Sequence, residues 1–74
     1  MLDVVTMKEI DAIFEVTDAL GIHREMLTIP LGPESPGRVR QLKNGKLEIV
    51  VEAERSLEAW LKELPALIAA AQAQ

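Results

Sequence analysis

Apolar and polar residues fall into two stretches of helical spacing, separated by a stretch of strand-like composition. From Thr6 to Leu20, the residues Ile10, Ile13, Phe14, Thr17 and Leu20 form one stripe, with Asp11, Glu15 and Asp18 on the opposite side. That period predicts an amphipathic helix over residues 6–20. Thr6 followed by Glu9 is a capping-box pair, whose hydroxyl and carboxylate satisfy orphan backbone donors reciprocally. Gly21 follows where a left-handed C-terminal cap needs no Cβ, with Ile22 able to fold back on Val16 or Thr17. Near the C-terminus, Leu57, Trp60, Leu61, Leu64, Leu67, Ile68 and Ala71 make a second complete stripe, opened by Ser56. Glu58 and Lys62 add an i,i+4 ion pair on its outer side. Pro65 lacks the N–H that would bond the carbonyl of Leu61, which predicts a kink or a break there.

Between the helices, Met26-Leu27-Thr28-Ile29 has the composition of a strand. Pro30, Gly32, Pro33, Pro36 and Gly37 then punctuate a segment too irregular for helix or ladder, and so a stiff loop. Asn44-Gly45 separates Arg38–Lys43 from Lys46–Val51, a pattern that predicts a β-hairpin with a two-residue type I′ turn. That turn would set Leu42 opposite Leu47, Arg40 opposite Ile49 and Val39 opposite Val50. Leu47–Val51 is apolar on both faces, as suits an inner strand. The expected fold is α+β: an N-terminal helix, a small antiparallel sheet of about three strands, and a kinked C-terminal helix, with Trp60 and Phe14 as the largest core pieces.

The chain has 74 residues, enough for a single domain, residues 1–74. A chain this short buries only about 60% of the surface its unfolded form exposes. With no cysteine to staple it, self-association is the remaining remedy, and a homodimer is expected. The same count removes disulfides, cysteine-ligated zinc, iron–sulfur clusters and thiol nucleophiles. One histidine, His23, cannot make a histidine-rich metal site, and two aromatics make a poor base-stacking platform. Apolar runs fall far short of the roughly 20 residues of a membrane span. The N-terminus lacks the pattern of a signal peptide, so a cytoplasmic location and no membrane partner are expected.

Catalytic motifs are missing. The glycines are not spaced for a phosphate loop, and no nucleophile-elbow context surrounds Ser35 or Ser56. Of the His-Glu-x-x-His zinc pattern only Glu63 is there, with Lys62 and Ala66 where the imidazoles belong. No cofactor, metal or catalytic residue is assigned.

The net charge of −4 hides a segregated distribution. Arg38, Arg40, Lys43 and Lys46 stand together without an acid, whereas acids outnumber bases six to two in residues 1–25 and five to two in residues 48–74. Basic residues on a hairpin can protect an exposed strand edge, dock on the acidic helix of another copy, meet another protein, or enter a nucleic-acid groove. The acidic total weighs against the last. Asp11, Glu15 and Asp18 make a solvated face, the counterpart of a basic partner, or a site for a divalent cation. His23, just beyond the helix, is a turn residue, a pH-sensitive contact or a lone ligand in an intersubunit metal site.

The candidate interaction residues are therefore Arg38, Arg40, Lys43, Lys46, Asp11, Glu15, Asp18 and His23. The expected function is a non-catalytic interaction or assembly module. The alternatives are an enzyme accessory whose site a partner completes, and a small nucleic-acid binder using the hairpin 38–46.

Overall fold

The computed structural model describes residues 1–73. It contains α1 (Met7–Ala19), a 3-10 turn (Arg24–Met26), β1 (Leu27–Thr28), β2 (Arg38–Gln41), β3 (Leu47–Val50) and α2 (Leu57–Gln72), which is the expected α+β arrangement. The strand order is β1-β3-β2, so the strand that is apolar on both faces lies at the centre, with Leu47, Ile49 and Val50 buried. β2 runs antiparallel to β3 and β1 runs parallel to it, making the sheet mixed where an antiparallel one was expected.

Both helices carry the caps their sequences advertise. Glu9 Oε1 accepts the Thr6 backbone N–H at 2.7 Å and the Thr6 hydroxyl at 2.6 Å. Beyond α1, the Ile22 N–H reaches the Thr17 carbonyl at 2.9 Å and the Gly21 N–H that of Asp18 at 3.0 Å. This is the Schellman pair, made possible by the φ of +77° at Gly21. Ser56 Oγ accepts the Ala59 N–H at 3.1 Å to open α2. Pro65 does not break α2, which runs continuously to Gln72. The proline is exposed, so the missing hydrogen bond falls on the water-facing side.

The hairpin differs by one residue from the expected register. Leu42 N–H donates to the Lys46 carbonyl at 2.7 Å, and Gly45 N–H to the Leu42 carbonyl at 3.0 Å. Gly45 has φ +87° and no non-glycine residue among those described has positive φ, which rules out a type I′ turn at Asn44. The loop is Lys43–Gly45, a turn closed by a glycine bulge. Asn44 Oδ1 supports it by accepting the Lys46 N–H at 3.0 Å. In consequence Arg40 stands across from Glu48, Val39 from Ile49 and Gln41 from Leu47.

α2 packs against both α1 and β2. The core comprises Val5, Ile13, Leu47, Ile49, Val51, Trp60, Leu64, Ile68 and Ala71, with Trp60 fully enclosed as expected. Phe14 is half-buried and lies outside that cluster. α1 is turned so that Ile13 is central and Glu9, Val16 and Thr17 flank it. Phe14, about 100° round the helix from Ile13, falls at the margin, where the Arg24 guanidinium lies 4.6 Å above its ring. Leu20, at the C-cap, is beyond the packed length of the helix and exposed.

The proline loop is held to the rest of the fold by main-chain bonds. Glu34 N–H reaches the Val51 carbonyl at 3.0 Å and Ala53 N–H the Glu34 carbonyl at 3.0 Å. Val5 N–H reaches the Leu31 carbonyl at 2.9 Å, bringing the N-terminal segment against the same loop.

Candidate functional site

The most densely bonded ionisable group is one the sequence does not advertise. Glu52 follows β3, and its side chain is closed to solvent. Oε1 accepts the Gly37 N–H at 2.9 Å; Oε2 accepts the Ser35 hydroxyl at 2.8 Å and the N–H groups of Glu54 and Arg55 at 3.2 and 3.3 Å. The Gly37 N–H, the Ser35 hydroxyl and then the other backbone donors hold the carboxyl at about 2, far below its ordinary 4.5. Arg55 closes this cluster by bridging to Glu63, with Nη1 2.7 Å from Oε2 and Nη2 3.2 Å from Oε1. That pairing raises the Arg55 pKa and lowers that of Glu63. Two of the donors converging on Glu52, Ser35 and Gly37, come from the proline loop and two, the Glu54 and Arg55 N–H groups, from the segment before α2, so the carboxylate acts as a clasp between the loop and the start of α2. Glu63, the one residue that coincides with the zinc pattern, is an ion-pair partner on α2.

The candidate residues occupy separate surfaces. Arg38 Nη1 lies 2.8 Å from Glu34 Oε1, and Arg40 Nε lies 2.7 Å from Glu48 Oε1. The Glu34 pairing raises the Arg38 pKa and lowers its own. Half of the ribbon's positive charge is thus matched within the chain, leaving Lys43 and Lys46 at the turn with no ion pair among the described residues. Asp11, Glu15 and Asp18 stand exposed on α1. Asp18 Oδ2 takes Arg24 Nη2 at 2.9 Å. The hairpin cations and this acidic face do not meet within one copy. His23 is exposed and shares a shallow depression with Asp18, Gly21, Ile22, Arg24 and Glu25. No group of three His, Asp or Glu side chains among the described residues is placed to hold a metal ion.

What the surface does offer is an open sheet edge. β1 is two residues long and is followed by Pro30, which cannot extend a ladder. β2 is longer, with Arg38, Arg40 and Gln41 exposed and Val39 half-buried. In an antiparallel ladder, directly opposed residues alternate between hydrogen-bonded and non-hydrogen-bonded pairs. Leu42 N–H bonds Lys46, so Arg40–Glu48 and Arg38–Val50 are also hydrogen-bonded pairs, and Val39 and Gln41 point their N–H and C=O groups away from β3. Among the described residues nothing meets those four groups.

The sequence showed the basic ribbon but not its neutralisation. The signal was available in Glu48, which an Asn44-Gly45 turn read as two residues long places one step away from Arg40. Set beside protein-family models, curated proteins and solved structures, the chain matches none.

Proposed function

We propose that the chain is a small protein-interaction module that assembles with itself as a homodimer. One observation carries the reading: the sheet stops at β2 with the outward main-chain groups of Val39 and Gln41 unpaired. Such an edge is a ready template for another strand. Two further features support it. Glu9, Glu52 and Arg55 are spent on caps, clasps and ion pairs inside the fold. Large apolar side chains, among them Met7, Leu20 and Leu31, stand exposed on a chain whose core is small. Arg38 and Arg40, held by Glu34 and Glu48, give phosphate less free charge than the sequence suggests, which favours a protein partner over nucleic acid.

Molar mass in solution, by sedimentation or light scattering across a concentration series, tests this. The expected result is twice the 8.2 kDa of one chain, with dissociation on dilution. A mass of one chain at every concentration would overturn it.

A further inference from the structure

We infer that β2 pairs antiparallel with β2 of a second copy about a two-fold axis through Arg40, joining two three-stranded sheets into one of six strands. The inference rests on the self-association proposed above and adds the surface and the register.

The outward residues of β2 are Val39 and Gln41, two apart with Arg40 between them. A second copy turned about Arg40 sets Val39 opposite the partner's Gln41, and Gln41 opposite the partner's Val39. Both are then hydrogen-bonded pairs, and all four outward N–H and C=O groups on each strand edge find partners. No proline, glycine or bulge interrupts residues 38–41. The register closes on itself, as a two-fold interface requires.

Charge would ordinarily forbid this pairing. Arg40 meets the partner's Arg40 as a non-hydrogen-bonded pair, the arrangement in which side chains approach most closely. Here each guanidinium is already held by its own Glu48 at 2.7 Å, and each Arg38 by its own Glu34 at 2.8 Å. The row across the joined sheet runs Glu48, Arg40, the partner's Arg40, the partner's Glu48, and carries no net charge. The arginines that would guard the edge are neutralised from within the chain. The same pairs supply the acid that a foreign acidic strand would otherwise bring, so a second copy fits the edge better.

Arg40→Cys tests the geometry. The chain has no cysteine, so the variant carries one thiol. Facing positions of this type lie about 4.5 Å apart at Cα, within disulfide range. Under mild oxidation at high salt, which screens the released Glu48 carboxylates, Arg40→Cys should form a linked dimer much faster than Lys43→Cys at the hairpin tip. Gln41→Pro removes one outward N–H without touching the β2–β3 ladder, and should weaken the dimer by on the order of tenfold. Trp60 fluorescence reports whether that variant is folded; if it is not, the cross-linking rates decide. A wild-type dimer with equal cross-linking of the two cysteine variants overturns the edge pairing and leaves self-association standing. A monomeric wild type overturns both and leaves the edge to a foreign strand.

Discussion

The carboxylate of Glu52 accepts the backbone N–H of Gly37 at 2.9 Å, across 15 residues of chain and out of contact with water. The bond draws the end of the proline loop onto the segment between β3 and α2. So close is the approach that a Cβ at position 37 would stand 2.7 Å from the Glu52 nitrogen and 2.8 Å from Trp60 Nε1. Glycine is required here for space and not for a left-handed backbone, since Gly37 is not among the positive-φ residues. Trp60 Nε1 is buried beneath it without a hydrogen-bond partner.

Gly37→Ala should therefore destabilise the fold by about 1–3 kcal/mol, the usual cost of forcing a methyl group into a packed site. The backbone of Glu52 cannot yield without loosening the clasp. Chemical denaturation followed by Trp60 fluorescence measures the loss, and an unchanged midpoint would contradict the close approach.

Glu52 also predicts how the fold responds to acid. Its pKa is lowered from 4.5 to about 2 by the Gly37 N–H, the Ser35 hydroxyl and the Glu54 and Arg55 backbone. A carboxyl that binds its proton less readily when folded contributes stability above its unfolded pKa, and that contribution is lost as pH falls through the folded one. Stability should fall between pH 4.5 and about 2. Glu52→Gln should be less stable than wild type at pH 7, and the gap should narrow through that window. A constant gap in urea titrations at successive pH values would show that the carboxylate is not the group responsible.

Trp60 is fully buried at the centre of the core. Trp60→Ala should cost about 3–5 kcal/mol, as much as a single core of this size supplies, roughly 3–5 kcal/mol. The variant is expected to be largely unfolded at room temperature by far-UV circular dichroism. Phe14→Ala should cost distinctly less, because Phe14 lies at the margin under Arg24. Equal losses would mean that both aromatics are core.

Features set by local chemistry were legible in the sequence, and those set by distant approach were not. Thr6 with Glu9, Gly21, and Ser56 announce their caps because a cap involves residues within a turn of one another. β3 announces its central place by being apolar on both faces. Glu52 reads as one of several acids after a strand, because its partners Ser35 and Gly37 arrive from 17 and 15 residues earlier. Phe14 lies outside the core because a helix stripe on a short domain has broad margins, and only packing on α2 decides which margin turns inward. Arg38, Arg40, Lys43 and Lys46 lie along β2 and the hairpin turn, as their spacing about Asn44-Gly45 implies. The one-residue register difference hid the pairing of Arg40 with Glu48, and with it the neutral character of the β2 edge.

That register gives the hairpin two distinguishable turn residues. In a type I′ turn, Asn44 and Gly45 would both need positive φ; here only Gly45 does, at +87°. A side chain at Gly45 meets open space, so the cost of Gly45→Ala is conformational, about 1–2 kcal/mol. Asn44→Ala loses only the exposed hydrogen bond from the Lys46 N–H at 3.0 Å, about 0.5–1.5 kcal/mol. Asn44→Gly should bring no compensating gain, because position 44 is not at positive φ and suits an L-residue. Thermal unfolding of the three variants separates the turns. If Asn44→Gly is the stabilising one, the loop is two residues long, and Arg40 faces Ile49 and not Glu48.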